Sequence, residues 1–271
     1  LNARLTHPLA EDGDYLIEAR AFSSGEGPYT LNIEEIAPPP PPSAIAFGQT
    51  VEGELTNSDA TDDDGRRYDA FVFSGTEGQR IQAVMRSGDF DAYLQLGENG
   101  EEFSEIASDD DGLGQGTDAR LIFTLPETGE YVLRARSWSR DAKGLYALEL
   151  QDLGGEPSPG SLLIGSTVRA RLTERASITD EGIYYDAYRF KAKADEKLRF
   201  TLIASSFDAV VEVGEEKDGD YFKLEEDDDG LSDTHARLNW TAPRDGSYVL
   251  RARSFGSNST GDYVLITERQ P

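Results

Sequence analysis

Along most of the chain, apolar residues recur at every second position in short runs, and turn residues separate the runs. Ile81, Ala83 and Met85 alternate with Gln82, Val84 and Arg86. Leu198, Phe200 and Leu202 alternate with Arg199, Thr201 and Ile203, and Tyr131, Leu133 and Ala135 alternate with Val132, Arg134 and Arg136. A period of two sends neighbouring side chains to opposite faces of an extended backbone, so each run predicts a half-buried β-strand. Thr128-Gly129, Asp245-Gly246 and Asp12-Gly13 each stand just before a tyrosine-led run, where glycine supplies the positive φ of a tight turn. No stretch carries a helical period with caps at its ends. Short strands at regular spacing predict an all-β antiparallel sandwich or barrel.

The runs repeat. Tyr68-Asp69-Ala70-Phe71-Val72-Phe73 returns 117 residues later as Tyr185-Asp186-Ala187-Tyr188-Arg189-Phe190, and Phe90-Asp91-Ala92 returns as Phe207-Asp208-Ala209. Asp109-Asp110-Asp111-Gly112-Leu113 returns as Asp227-Asp228-Asp229-Gly230-Leu231, one residue out of step, and Ala119-Arg120-Leu121 returns in step as Ala236-Arg237-Leu238. Tyr131 to Ser137 returns as Tyr248 to Ser254. The second half of this unit occurs a third time at the start: Ala3-Arg4-Leu5, Gly13-Asp14-Tyr15 and Gly27-Pro28-Tyr29 match Ala119-Arg120-Leu121, Gly129-Glu130-Tyr131 and Gly144-Leu145-Tyr146. The chain therefore divides into half a module over 1–36, a proline-rich linker over 37–44, a module over 45–152, a Gly/Pro linker over 153–160 and a module over 161–271. Pro38 to Pro42 predict an extended, semi-rigid spacer. So long a period suits beads on a string, each with its own core, rather than a solenoid. The half module predicts strands around Leu5, from Tyr15 to Ala21 and from Tyr29 to Ile33. Alone it would leave open strand edges, so upstream residues of the parent chain or another chain are expected to complete it.

Taken in order, the motifs are an aromatic-Asp strand, Phe-Asp-Ala, an Asp-Asp-Asp-Gly loop, Ala-Arg-Leu, a Pro-x-x-Gly-x-Tyr turn and a closing strand led by Tyr146 or Tyr263. This order resembles the bacterial pre-peptidase C-terminal domain family. The resemblance implies tandem jelly-roll-like β-sandwich modules of the kind appended to secreted proteases and other exported proteins. It implies an accessory role and does not imply protease activity in this chain. The first copy has Leu9-Ala10 where the second has Leu125-Pro126, a small departure.

Charge narrows the partners. The net charge of −26 repels nucleic-acid backbones and anionic lipid headgroups and attracts multivalent cations, while also keeping an exported protein soluble. The absence of cysteine removes disulfides, thiolate metal sites and a cysteine nucleophile. No run approaches the roughly 18 apolar residues of a membrane span, so membrane insertion is not expected. A secreted, cell-surface or periplasmic setting follows from the family resemblance.

The aspartate clusters are the main candidates for chemistry. Asp109, Asp110 and Asp111, and Asp227, Asp228 and Asp229, each lie before an Ala-Arg-Leu strand, and Asp91 and Asp208 begin the strand that leads into each cluster. Calcium takes six to eight hard oxygens and tolerates irregular loops, so these eight residues are a candidate calcium site in each module. The other reading is a solvated turn whose aspartates cap backbone amides. Asp62-Asp63-Asp64-Gly65, with only Asp180-Glu181-Gly182 as counterpart, reads as a solvated loop. The equivalent arginines, Arg4, Arg120 and Arg237, and Arg20, Arg136 and Arg253, are expected to pair with the aspartate loops or across strands. Phe22, Trp138 and Phe255 occupy one position after the tyrosine-led strand. They read as core or edge plugs, with a sugar-stacking face as the alternative. Tyr29, Tyr146 and Tyr263 read as core. His7 and His235 lie beside no repeated serine or acid that would complete a triad, and the sequence contains no catalytic constellation. The function read from the sequence is a non-catalytic accessory, spacer or binding array. It would engage a protein partner or a polymeric extracellular substrate. A structural subunit of an extracellular assembly and a carbohydrate-binding module are the alternatives.

Overall fold

The computed structural model describes residues 3, 5, 7, 9, 11–22, 24–35, 39–62, 64–100, 103–114, 116–140, 142–179, 181–217 and 219–271. The first module contains β1 (Ser43–Ala44), β2 (Gln49–Leu55), β3 (Ala60–Thr61), β4 (Arg67–Gly75), β5 (Arg80–Arg86), β6 (Ala92–Glu98), β7 (Ser104–Asp109), β8 (Ala119–Thr124), β9 (Gly129–Ser137) and β10 (Gly144–Gly154). The second repeats them as β11 (Gly160–Ser161), β12 (Thr167–Leu172), β13 (Ser177–Ile178), β14 (Tyr184–Ala192), β15 (Lys197–Ala204), β16 (Ala209–Lys217), β17 (Asp220–Asp227), β18 (Ala236–Thr241), β19 (Gly246–Ser254) and β20 (Gly261–Arg269).

In the first module one sheet runs β1-β4-β9-β6-β7, with β3 on β4, and the other runs β2-β10-β5-β8. The second module has the same orders. If the long strands of a module are counted one to eight, the two sheets place them as 2-7-4-5 and 1-8-3-6, which is a jelly roll. The fold is thus all-β, in tandem antiparallel sandwiches. The exceptions are the two-residue strands β1 and β11, which run parallel to β4 and β14.

Alternation decides what each sheet buries. Ile81, Ala83 and Met85 point between the sheets with Leu94, Leu96, Leu133 and Leu148 to form the first core. Tyr184, Phe200, Trp240, Tyr248, Leu250 and Leu265 are among the second. Tyr146 and Tyr263 are buried in these cores as the sequence predicts.

The half module differs from expectation. No described residue between 3 and 42 lies in a strand, and Leu5, Leu16, Phe22, Tyr29 and Ile33 are exposed rather than buried. His7, expected at an inward position, is exposed. Arg4, Ile36, Ala37 and Pro38 lie outside the described residues. The topology supplies the reason. The three retained segments match β8, β9 and β10. In a whole module β8 pairs with β5, β9 with β4 and β6, and β10 with β2 and β5. None of the three pairs with another, so every ladder partner belongs to the half of the module that is not in this sequence. Without ladders the apolar residues have no sheet on which to pack.

The two whole modules are not separate beads. The register of β5 on β8 places Arg80, Gln82, Arg120 and Ile122 on the outer face of their sheet. There Arg80, 1% exposed, donates from Nη2 to the Ala176 carbonyl oxygen at 3.0 Å, and its Nε pairs with Glu156 of the linker at 3.0 Å. Ile122 packs against the core of the second module.

Candidate functional site: the paired aspartate loops

Each loop is built around its first aspartate. Asp109 ends β7, and its Oδ1 accepts hydrogen bonds from the amides of Gly112 (2.8 Å) and Arg120 (2.7 Å). Asp227 does the same with Gly230 (2.9 Å) and Arg237 (2.7 Å). One carboxylate therefore closes the loop and ties it to the start of the next strand. The glycine is required by space: a Cβ on Gly112 would lie 2.3 Å from the Arg120 carbonyl oxygen, and one on Gly230 would lie 2.4 Å from Asp227 Oδ2. Burial pushes the Asp109 carboxyl above the usual carboxylate range, and the two amides oppose that rise.

Asp91 stands where β6 begins. Its carbonyl accepts from the Trp138 amide at 2.9 Å, and the Asp208 carbonyl accepts from the Phe255 amide at 2.8 Å. In both residues Oδ1 is buried with no hydrogen-bond partner. Burial raises the Asp91 carboxyl, and the charges of Asp111 and Asp110 raise it further. Asp91 therefore lies within the electrostatic reach of Asp110 and Asp111, while Asp109 is engaged by the backbone. Among the described residues no three His, Cys, Asp or Glu side chains form a group that could hold a metal ion. The geometry matches the amide-capping turn for Asp109 and Asp227.

Among the described residues, the side chains of Arg120, Arg136 and Arg253 form no ion pair with the aspartate clusters 109–111 or 227–229, while Arg136 Nη1 lies 4.0 Å from Asp62 Oδ2 of the other acidic loop. Arg120 points to the neighbouring module, where Nη1 donates to Tyr184 Oη at 2.9 Å. Arg136 lies over the Tyr93 ring at 3.8 Å, and Arg253 pairs with Glu212 (2.5 Å) and Glu226 (2.9 Å). Asp62 and Asp64 are also engaged rather than purely solvated. Asp62 Oδ1 accepts from the Arg66 amide at 2.7 Å, and Asp64 pairs with Arg66 and, at 3.6 Å, with Arg140. Asp63 and Asp180 lie outside the described residues.

Two features stand out, one that the sequence reading left unassigned and one where it left core, edge and exposed positions open. The first is the aspartate of the aromatic-Asp motif. Tyr146 on β10 donates to Asp69 Oδ2 on β4 at 2.6 Å, and Tyr263 on β20 donates to Asp186 Oδ2 on β14 at 2.6 Å. Each pair joins the two sheets of its sandwich. The signal was present in the sequence, because Asp69 and Asp186 recur at the common offset on an otherwise apolar face. The second is the exposure of Trp138 (48%) and Phe255 (59%), which are not core plugs. Trp138 leans on Tyr93 with ring centroids 5.4 Å apart.

No protein-family model and no curated protein matches the chain. Solved structures show slight likeness. The pre-peptidase C-terminal domain of a collagenase from Bacillus anthracis is 15% identical, covers 42% of this chain and 99% of its own, and has a TM-score of 0.34. The periplasmic inhibitor of g-type lysozyme from Aeromonas hydrophila is 15% identical, covers 40% and 95%, and has a TM-score of 0.29. An uncharacterised Burkholderia cenocepacia protein is 11% identical, covers 79% and 81%, and has a TM-score of 0.26. No helix among the described residues is long and apolar enough to cross a membrane.

Proposed function

We propose that the chain is a non-catalytic accessory array of an exported bacterial protein. Its modules belong to the pre-peptidase C-terminal domain family and space or present other parts of that protein. The observation that carries this reading is the use of the repeated polar residues. Asp69 and Asp186 bridge sheets, and Asp109 and Asp227 close loops, so the residues the two modules share hold the fold. Purified chain is expected to show no turnover of protein, ester or glycoside substrates. Turnover that survives repurification and disappears on one point substitution would overturn the reading. The exposed Trp138 and Phe255 favour carbohydrate binding as a second reading. Co-sedimentation with an insoluble polysaccharide, lost in Trp138→Ala with Phe255→Ala, would move the conclusion to that reading.

We also propose that calcium relieves the repulsion among Asp91, Asp110 and Asp111, and among Asp208, Asp228 and Asp229, even though Asp109 and Asp227 are held by amides. The orphaned Oδ1 of Asp91 and of Asp208 supports this. Calcium at ~100 times its dissociation constant would add about 2.7 kcal/mol to the folded state. The melting temperature is therefore expected to rise with calcium and fall with chelator, and Asp91→Asn should shrink the rise. Identical melts in calcium and chelator reject the cation and leave the accessory reading intact.

A further inference from the structure

Most residues in the contact between the modules differ between the two copies, although Arg120 recurs as Arg237. On the first module Arg80 is fully buried, and its Nη2 and Nε reach the Ala176 carbonyl and Glu156. Arg120 is buried as well, donates to Tyr184 Oη and lies 5.5 Å from the Tyr184 ring centroid. Asn258 Nδ2 donates to the Gly112 carbonyl oxygen at 2.9 Å, so the aspartate loop itself is part of the seam. A buried guanidinium is costly unless its donors are matched: a carboxylate and main-chain carbonyls match those of Arg80, and the Tyr184 phenol matches Nη1 of Arg120, whose Nε has no partner.

The repeat provides an internal comparison. At the positions of Arg80, Arg120 and Ile122 the second module carries Lys197, Arg237 and Asn239. Lys197 and Asn239 are exposed. At the positions of Ala176 and Tyr184 the first module carries Asp59 and Arg67. A module offering an arginine face to that turn would therefore meet Arg67 where Arg120 meets Tyr184. The proline run also has no carboxylate between Ala37 and Ser43 to match Glu156.

We infer that Arg80, Arg120 and Ile122 form a one-way docking face for a following module whose turn offers free carbonyls and a tyrosine. The two whole modules are thereby one rigid body, and the second module's equivalent face makes no such joint. Relative motion is the default for neighbouring domains joined by a short polar linker, so rigidity here is a specific claim.

The test uses the full chain, which has no cysteine of its own. Ser74→Cys and Lys191→Cys, at equivalent exposed positions of the two modules, carry spin labels for a pulsed-dipolar distance measurement. The unmodified joint is expected to give one narrow distance population. Arg80→Ala with Arg120→Ala should lose it to a broad one, whereas the counterpart pair Lys197→Ala with Arg237→Ala should keep it narrow. A broad population in the parent protein overturns the inference, as does an unchanged one in the Arg80/Arg120 variant or a broadened one in the Lys197/Arg237 variant. If the first variant does not fold, Glu156→Gln with Asn258→Ala acts at the rim of the joint. Broadening there supports the inference and an unchanged distribution overturns it.

Discussion

Trp240→Ala is expected to cost the second module about 3–5 kcal/mol, the usual range for removing a buried aromatic side chain. Trp240 is 4% exposed and sits on the edge strand β18, where its ring is the lid of the second core. It meets Tyr248 edge-on at 4.8 Å and 74°, Phe190 at 5.9 Å and 83°, and Phe200 at 6.4 Å. Alanine leaves three aromatic rings facing a void that the sheets, fixed by their ladders, fill only in part. The first module provides the control. Its equivalent residue, Phe123, is only partly buried against the core, so Phe123→Ala should cost clearly less. Denaturant unfolding of the two variants decides the point, and equal losses would show that the second core is not organised around Trp240. Tyr184 belongs to the second core and also holds Arg120. Loosening the second module should therefore lower the transition of the first as well.

How far the sequence reveals this molecule depends on the range of each interaction. The period-two runs and the common offset predicted the strands and the duplicated sandwich, because alternation and repetition are local properties of the chain. The aspartate loops were visible for the same reason, and so was the glycine that follows each cluster. The role of Asp109 was not, since carboxylates that cap amides and carboxylates that wait for a cation have one sequence pattern. The buried face of Arg80 was also hidden. An arginine in a strand normally reads as solvent-facing, and only the linker and the docked neighbour supply Glu156 and the Ala176 carbonyl. The half module failed as a set of strands for a related reason. Tyr15, Ile17, Tyr29 and Leu31 alternate correctly, but alternation predicts a strand only where a ladder partner exists. Whether Trp138 plugs the core or the edge was not legible, because half-exposed aromatics at strand ends share the pattern of buried ones.

Tyr146→Phe is expected to cost about 1.5–3 kcal/mol at neutral pH, the contribution of a hydrogen bond to a charged group, and less in mild acid. The substitution removes the Oη that donates to Asp69 Oδ2 between the sheets and leaves a carboxylate without that donor. Burial already holds the Asp69 carboxyl above its ordinary value of 3.8, and the tyrosine hydrogen bond opposes the rise. Asp186 is placed in the same way by burial and Tyr263. A group whose folded value lies above its unfolded one contributes stability that is complete below the unfolded value and is lost as pH rises through the folded value. Asp69, Asp91, Asp109 and Asp186 all have this sign. Glu196 and Glu226 have the opposite sign, because hydrogen bonds from the Lys193 amide and the Lys223 side chain, respectively, hold them below 4.5. Their contributions fade only as pH falls below that value. The raised aspartates therefore add stability as pH falls through their folded values towards 3.8, and the lowered glutamates work against it only below 4.5. Without Tyr146 the Asp69 carboxyl rises further, is protonated sooner on acidification and tolerates burial once neutral, so the loss shrinks. Asp69→Asn keeps an acceptor for Tyr146 and should flatten this part of the pH dependence. Unfolding free energies of the three proteins at neutrality and in mild acid test the account. A loss for Tyr146→Phe that stays unchanged down to the ordinary carboxylate value of 3.8 would mean that Asp69 is not protonated ahead of an ordinary carboxylate, and the assigned direction of its shift would be wrong.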